Sequence, residues 1–161
     1  MNLANLFQLQ ENLDKRITEE HGLYGEPLLS KKVLALQVEL AELANETRCF
    51  KFWSNRKPSD RETILEEYVD CLHFILTLGL EKGFTDIELE DKELQFDLTT
   101  QFLNLYIDIN DFVVCSSKDH YITLFEDFLT LGKMFDFTIE EIQEFYYIKN
   151  NINHKRQDEG Y

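Results

Sequence analysis

Two pairs of carboxylates in the chain have a spacing that suits a metal site. Glu39 and Glu42 stand three residues apart, and Glu67 and Asp70 repeat that spacing further along. On an α-helix, residues three apart share a face, so each pair directs two carboxylates to the same side. Carboxylate oxygens are the ligands that hard divalent cations such as Mg²⁺ take in proteins. Two such pairs on facing helices would supply the protein ligands of a Mg²⁺ site.

The surroundings of the second pair favour a metal site over a solvated acidic face. Residues 68–80 are apolar nearly all round a helical wheel, which is typical of a buried helix. Their polar exceptions fall within one narrow sector, which includes Asp70, His73 and Thr77. Several like charges are costly to bury together unless a cation offsets them. Either pair alone would be an ordinary surface feature in so acidic a chain, but both pairs in these surroundings predict a metal centre.

A pair of iron ions is an alternative occupant of such a carboxylate cluster. Di-iron bundles use a Glu-x-x-His element on each of two helices. Only Asp70 and His73 approach that spacing, and the other three histidines have no acidic residue three positions before them. The pattern therefore favours Mg²⁺, which keeps several waters and also binds the phosphate oxygens of a substrate.

Positive charge is scarce in this sequence, and part of it gathers near the end of the chain. Lys149, Asn153 and Arg156 follow Tyr146 at intervals of three, four and three residues, which places the four side chains on one helical face. Lys and Arg beside an amide can bind a polyphosphate, Arg through its planar fork and Lys as a point charge. The alternative is a solvated helix end, where cations also favour the helix dipole. Together with a metal centre, this face predicts a small substrate that carries several phosphates.

The elements that must position these residues are all predicted to be helices. Apolar residues recur every three or four positions, and only six glycines and two prolines interrupt the chain. We expect helices over Leu3–Glu20, from residue 30 to about residue 52, and within residues 94–114 and 122–135. Capping boxes, in which a Ser or Thr and a Glu three residues later satisfy the first amides of a helix, predict further starts at Ser59, Thr85 and Thr138. The expected fold is an all-α bundle of roughly six to eight helices, in one domain over residues 1–161.

Composition narrows the class of partner and the compartment. The 161 residues include 16 Lys and Arg against 31 Asp and Glu, a formal net charge of −15 that disfavours nucleic-acid polymers and anionic membrane surfaces. Cys49, Cys71 and Cys115 are an odd number without paired spacing, which favours a reducing compartment. No stretch approaches the ~18 uncharged apolar residues of a membrane span. We therefore expect a cytoplasmic protein that binds neither nucleic acid nor membranes.

Several blocks of the sequence carry a resemblance to a known superfamily. The segments ELAE at residues 39–42 and EYVD at residues 67–70 resemble the ExxE and ExxD signature of the all-α nucleoside triphosphate pyrophosphohydrolases, which include the MazG proteins. Within this superfamily, the chain resembles the dimeric dUTPases in three longer segments: ELANETRCFKFW, EEYVDCLHFILTLGL and the closing YYIKNNINHKRQDEGY. These blocks are spread over almost the whole chain.

This resemblance implies a Mg²⁺-dependent enzyme that acts as a homodimer. The implied reaction hydrolyses dUTP to dUMP and pyrophosphate, and dUDP to dUMP and phosphate. In the family's pattern the metal ions are held by Glu39, Glu42, Glu67 and Asp70. One of the first two glutamates, with Glu39 preferred, would activate the attacking water.

The resemblance also assigns side chains to the phosphates and to the sugar. The residues that match the family's phosphate-binding face are Lys149, Asn153 and Arg156. Asp70 and His73 would lie near the deoxyribose. Phe74 would pack against the sugar and leave no comfortable place for a 2′-hydroxyl, so UTP would be rejected.

Two further positions match residues that contact or close over uracil, namely Gln10 and Trp53. In the N-terminal block, where a QxxLN pattern is expected, this chain reads QENLD. Asp14 therefore stands in place of Asn, and the contact between this block and the base is open.

Two other functions remain open from the sequence. A MazG-like enzyme with other or broader nucleotide specificity would share the carboxylates, whereas Trp53 and the C-terminal segment favour dUTP. A non-enzymatic acidic bundle that covers a basic partner would fit the net charge. It would leave the four inward-facing acids without a role.

Overall fold

Six α-helices make up the fold in the computed structural model, which describes residues 1–160. The helices are α1 (Leu3–Glu20), α2 (Leu29–Thr47), α3 (Arg61–Lys82), α4 (Leu98–Val114), α5 (Lys118–Met134) and α6 (Ile139–Asp158). Residues 1–160 contain no strand, which confirms the all-α prediction. The six helices agree with the lower end of the predicted six to eight. None of these helices is both long enough and apolar enough to cross a membrane.

Helix α3 lies at the centre of the bundle, where it contacts α1, α2, α5 and α6. Eleven of its residues are buried and they occur on all sides, as the apolar wheel predicts. Two tyrosines tie α5 to α3 through hydrogen bonds. The Tyr68 hydroxyl donates to the Phe128 carbonyl at 3.1 Å, and the Tyr121 hydroxyl donates to the Ile75 carbonyl at 2.9 Å. The polar side chains of α3 are thus held on a rigid central element.

The start of α3 differs by one residue from the predicted capping box. Asp60, not Ser59, is the N-cap, and its side chain accepts a hydrogen bond from the Thr63 amide at 2.8 Å. Ser59 instead hydrogen-bonds to Glu46, its amide donating to the Glu46 carbonyl at 3.0 Å and its hydroxyl to the carboxylate. Helix α2 ends at Thr47, earlier than predicted, because the next residue adopts a left-handed conformation.

The other two capping predictions have opposite outcomes. The box at Thr138 and Glu141 is present, with both reciprocal hydrogen bonds formed, and it starts α6. The box predicted at Thr85 is wrong, because no helix begins between Gly83 and Asp97.

Tertiary contacts explain why this segment, residues 84–97, does not become a helix. The Glu90 amide donates to the Glu126 carboxylate at 2.8 Å, and the Lys92 ammonium lies 2.8 Å from Asp127. Both partners belong to α5, so the segment lies along that helix. Hydrogen bonds to α5 replace the local bonds that a helix would have formed.

Candidate active site

Three carboxylates meet where α2 packs against α3. Glu39 comes from α2, whereas Glu67 and Asp70 come from neighbouring turns of α3. One oxygen of each lies within 4.8 Å of the others, and all three residues are half-buried. This spacing allows the three oxygens to share one divalent cation. Glu42, the fourth predicted ligand, is exposed and lies outside this acid cluster of three residues.

The acid cluster carries negative charge that the protein offsets only in part. Burial, followed by the charge of Asp70 and of the neighbouring glutamates, raises the pKa of Glu39 to about 7. Burial is also the main cause that raises the pKa of Glu67 and of Asp70. A cation bound among the three oxygens would favour their ionised forms. The donor set and its charge therefore fit a hard divalent ion such as Mg²⁺.

One lysine of α6 borders the acid cluster. Lys149 is only 5% exposed, and its ammonium lies 2.8 Å from Asp70 and 2.6 Å from Glu66. It thus holds Asp70 in place and offsets part of the charge of the cluster. Lys149 is absent from the residues that line the adjoining cavity. Its contact with substrate phosphates stays a prediction.

A cavity of about 490 Å³ adjoins the acid cluster. One of its sides is α3, along which Asp70, His73, Phe74 and Thr77 line it. Asp70 and Thr77 are seven residues apart, which corresponds to about 10 Å of helix. The cavity therefore has two ends, an acidic end at Asp70 and a Thr77 end.

The two ends of the cavity are lined by different kinds of residue. Glu39 lies at the acidic end beside Asp70, and Arg156 lines the cavity close enough for its charge to act on Asp70. Asn153, one turn before Arg156 on α6, lines the cavity too. At the other end, α1 reaches Thr77 through Asp14. Apolar walls come from α1 and from the loop after it, with the side chains of Leu13, Ile17, Leu23 and Leu28.

A buried hydrogen-bond network fixes the polar groups of the Thr77 end. The Gln10 carbonyl oxygen Oε1 accepts from the Tyr146 hydroxyl at 2.8 Å and pairs with His73 Nδ1 at 2.7 Å. The amide nitrogen of Gln10 donates to Asp14 Oδ1 at 2.8 Å and to the Thr77 hydroxyl at 3.0 Å. Gln10 is 3% exposed, so its amide is fully engaged inside the protein. That Gln10 contacts uracil stays a prediction, whereas its hold on these neighbours is observed.

His73 is neutral and has one nitrogen to offer to a ligand. The ring stacks on Tyr146 at 4.3 Å between centroids, and burial lowers its pKa to about 3. Because Nδ1 faces the acceptor oxygen of Gln10, Nδ1 carries the proton and Nε2 keeps its lone pair. Nε2 is buried without a hydrogen-bond partner among residues 1–160. A hydroxyl group of a ligand is a donor that can satisfy it.

Comparison with known protein families decides the reaction. The sequence model of a family described as dUTPase matches residues 2–161, nearly the whole chain. The chain belongs to the dUTPase family. It is thus an enzyme that hydrolyses dUTP, a dUTP diphosphatase, and the resemblance drawn from its sequence blocks is confirmed. A search of curated proteins finds no sequence that matches this chain.

In this dUTPase the predicted site residues divide into two sets. Those that line the cavity are Gln10, Glu39, Asp70, His73, Phe74, Asn153 and Arg156. Those that do not line it are Glu42, Trp53, Glu67 and Lys149. Two of these still belong to the site. Glu67 is one of the three members of the acid cluster, and Lys149 forms an ion pair with Asp70 of that cluster.

Trp53 is predicted to contact uracil, but it does not line the cavity. It belongs to the segment between α2 and α3 and is 65% exposed. Its ring contacts Phe50 and Phe52, with centroid distances of 6.0 and 5.0 Å. That Trp53 closes over uracil in the dUTPase reaction stays a prediction.

Sequence reasoning missed two features of the site. Tyr146 was placed only on the helical face of the cations, whereas its hydroxyl belongs to the buried network. The glycines and the proline within residues 21–29 predict only a connecting loop, although Leu23 and Leu28 line the cavity. The two leucines among glycines and a proline were the available signal, since a purely connecting loop has little reason to carry them.

Proposed function

We propose that this dUTPase uses Mg²⁺ held by Glu39, Glu67 and Asp70, with Glu42 beside them. The observation that carries the proposal is the meeting of three half-buried carboxylates within 4.8 Å of one another at one end of a cavity. When bound there, Mg²⁺ would polarise the phosphate chain and lower the pKa of a bound water. Glu42 is near enough for its charge to raise the pKa of Glu39 and Glu67, which supports its place beside this shell.

Glu39 is the residue proposed to take the proton of the attacking water. It lines the cavity at the acidic end, and with one carboxylate oxygen on the metal its second oxygen would accept the proton of a water bound there. Attack of this water on the phosphate chain of dUTP yields dUMP and pyrophosphate. The same step on dUDP yields dUMP and phosphate.

The phosphates are proposed to lie between the acid cluster and α6. Arg156 and Asn153 both line the cavity and stand one turn apart, so they can bind the same phosphate chain. Lys149 would hold Asp70 in the orientation that the metal requires and would share in phosphate binding when its ion pair with Glu66 opens.

The deoxyribose is proposed to lie against His73 and Phe74. His73 Nε2 would accept a hydrogen bond from the sugar hydroxyl, which would satisfy a buried lone pair. Phe74 lines the cavity next to it and would occupy the space that a 2′-hydroxyl requires. The base would then extend toward the Thr77 end.

Trp53 would contact the base only if its segment moved toward the cavity. It is the sole tryptophan of the chain, so its fluorescence reports on this movement directly. Titration with dUMP should change the emission if Trp53 closes over uracil. An unchanged emission, with binding shown by calorimetry, would remove Trp53 from the base site.

A homodimer is proposed through the outer faces of α2 and α4. Leu34 and Val38 on α2 are 60% and 46% exposed, and Leu103 and Ile107 on α4 are 59% and 56% exposed. Each pair is four residues apart and so shares a face of its helix, and contact between the two helices supports placing both pairs in one dimer interface. Sedimentation analysis should show a dimer that Leu103→Glu weakens, whereas a native monomer would contradict this assignment.

One experiment tests the function as a whole. The protein is incubated with dUTP, UTP and each of the other dNTPs, with Mg²⁺ or with chelator, and pyrophosphate release is measured. We expect release from dUTP alone, and only with Mg²⁺. Release without any dependence on metal would overturn the proposed mechanism. Comparable release from all nucleotides would instead favour a MazG-like enzyme of broad specificity.

A further inference from the structure

Asp14 is a cavity residue whose two carboxyl oxygens have different surroundings. Its Oδ1 accepts hydrogen bonds from the Gln10 amide at 2.8 Å and from the Thr77 hydroxyl at 3.1 Å. No Lys, Arg or His nitrogen among residues 1–160 lies within ion-pair distance of it. Oδ2 has no hydrogen-bond partner among the same residues, and Asp14 lines the cavity. This oxygen is therefore the group that Asp14 can offer to a ligand.

Charged groups face Asp14 from three sides, and none of them pairs with it. From α2 the charge of Lys32 acts on it, but the Lys32 ammonium is 2.6 Å from Glu81 of α3, whose charge acts on Asp14 in the opposite sense. On its own helix Lys15 is paired with Glu11 at 2.9 Å.

The remaining ionisable groups near Asp14 come from α3 and α6. The neutral ring of His73 and the Tyr146 hydroxyl reach it only through Gln10. The charged residues that line the rest of the same cavity are Lys31, Glu39, Asp70 and Arg156. Burial is the largest influence on Asp14 and raises its pKa, although the hydrogen bonds from Gln10 and Thr77 act in the opposite direction. A base that fills the cavity would desolvate Asp14 further and favour its neutral form.

The fixed network engages Oδ1, so the protonation state of Asp14 decides which kind of hydrogen bond Oδ2 makes. Because Gln10 and Thr77 both donate to Oδ1, an asparagine at this position would point its NH₂ group into the cavity as a donor. An ionised aspartate offers only an acceptor there, whereas a neutral one offers the Oδ2–H donor. Asp14 in its neutral form therefore reproduces the hydrogen-bonding pattern of the asparagine that it replaces.

We propose that Asp14 recognises the nucleobase as a neutral carboxylic acid, donating its Oδ2–H to the 4-carbonyl oxygen of uracil. This inference rests on the proposed placement of the base at the Thr77 end. Position 4 is where uracil and cytosine differ, since cytosine carries an amino group there. If cytosine were bound, its amino group and the Oδ2–H group of Asp14 would be two donors that face each other, and a buried unpaired donor is costly. Asp14 thus selects for uracil, and an ionised Asp14 takes up one proton when the base binds.

The test measures the binding of deoxyuridine, which carries no phosphate and needs no metal. Its dissociation constant is determined by calorimetry or NMR titration between pH 5 and pH 8, in chelator. For the native protein we expect the affinity to fall with rising pH, approaching tenfold per unit above the pKa of Asp14, because one proton must be bound. For Asp14→Asn we expect an affinity that does not depend on pH. Deoxycytidine should bind the native protein weakly at pH 5.

A second variant separates this role from a merely structural one. Thr77→Val removes one hydrogen bond that favours the ionised carboxylate, so the pH at which the affinity begins to fall should move upward. Native affinity that is independent of pH, or absent, would overturn the inference, and so would Asp14→Asn binding with the native pH profile. In each case Mg²⁺-dependent hydrolysis of dUTP would still stand, so failure of the inference differs from failure of the proposed function.

Discussion

Two groups of acids lie on packed helix pairs of this dUTPase, and one of them adjoins the cavity described above. The acid cluster of α2 and α3 brings Glu39, Glu67 and Asp70 together. A second acidic group, on α4 and α5, consists of Asp108, Glu126 and Asp127. Both groups contain a carboxyl with a raised pKa, because burial and a neighbouring acid act on Glu39 and on Asp108 alike.

The protein itself supplies partners for two acids of the α4–α5 group, Glu126 and Asp127. Lys92 lies 2.8 Å from Asp127 and 3.4 Å from Glu126, and the Glu90 amide donates to Glu126 at 2.8 Å. These contacts attach residues 84–97 to α5. Only in the α2–α3 cluster, among the described residues, do three carboxylate oxygens converge within 4.8 Å. The two groups therefore differ in the convergence of their oxygens and not in a raised pKa, and this convergence is what supports the proposed metal site.

The largest expected effect is the loss of activity when one charge is removed from the α2–α3 acid cluster. Asp70→Asn should lower kcat/KM for dUTP by more than about 100-fold, because even residues that only support metal ligands are typically worth 10–100-fold. The matched control is Asp127→Asn in the α4–α5 group, which should leave kcat/KM within about twofold. Equal losses in both variants would contradict the contrast between the groups, provided that circular dichroism shows both to be folded.

The next effect concerns the phosphates at the acidic end. Arg156→Ala should reduce kcat/KM about 10–100-fold, the range expected for loss of a charge-assisted hydrogen bond. Lys155 is an exposed cation at the preceding position that does not line the cavity, so Lys155→Ala should have little effect. Steady-state kinetics of the two variants check this. Matching effects would mean that general electrostatic attraction, and not a specific contact, explains the role of Arg156.

A third prediction uses the pKa of Glu39 in the metal-free protein. Its folded-state value of about 7 is above the ordinary 4.5, so between these values the folded protein binds more protons than the unfolded chain. Stability without metal should therefore fall as the pH rises from about 4.5 to about 7. Mg²⁺ should restore it at pH 8 more than at pH 5.5.

Thermal unfolding with Mg²⁺ or with chelator measures this pattern. Glu39→Gln should flatten the fall with pH and reduce the effect of Mg²⁺, whereas Asp127→Asn should leave the effect of Mg²⁺ in place. A Mg²⁺ effect of native size in Glu39→Gln would show that the ion binds elsewhere.

The smallest expected effect lies in the α4–α5 group. Asp108 Oδ2 is buried without a partner among residues 1–160, and the charge of Asp127 helps to raise the pKa of Asp108. Asp108→Asn should therefore stabilise the protein at pH 8 by about 1 kcal/mol, or about 2–4 °C in Tm. At pH 5, where the native residue is already protonated, the difference should vanish. Destabilisation at pH 8 would show that the ionised carboxylate has a partner of its own.

Much of the fold follows from local sequence patterns. The bounds of α1 agree with the prediction at both ends, and α3 is buried all round as its apolar wheel indicates. The boundaries that failed depended on competition or on distant contacts. Ser59 and Asp60 can both cap a helix, and only the bonds from Ser59 to Glu46 decide between them. At Thr85 the partners that prevent a helix lie on α5, far away in sequence.

The sequence predicts which residues belong to the candidate site better than it predicts which of their side chains contact each other. Spacing of three residues placed Glu39 and Glu42 on one side of α2, but such residues differ by about 60° around the helix, so one can face inward and the other solvent. The helical face predicts that Lys149 meets phosphates, which stays a prediction, but it does not predict the ion pair of Lys149 with Asp70. Helical periodicity predicts the face of the helix on which a charged side chain lies, but it does not predict the ion-pair partner of that side chain. Asp14 stood out only as a departure from a pattern, and its hydrogen bonds give that departure a chemical meaning.

The central claim is that Mg²⁺ binds the α2–α3 acid cluster and not the α4–α5 group. Calorimetric titration of Mg²⁺ into the metal-free protein tests it directly, with native protein, Glu39→Gln and Asp127→Asn compared at pH 8. We expect the native protein and Asp127→Asn to bind with the same Kd, and Glu39→Gln to bind at least about tenfold more weakly. Native affinity in Glu39→Gln together with weakened binding in Asp127→Asn would contradict the account.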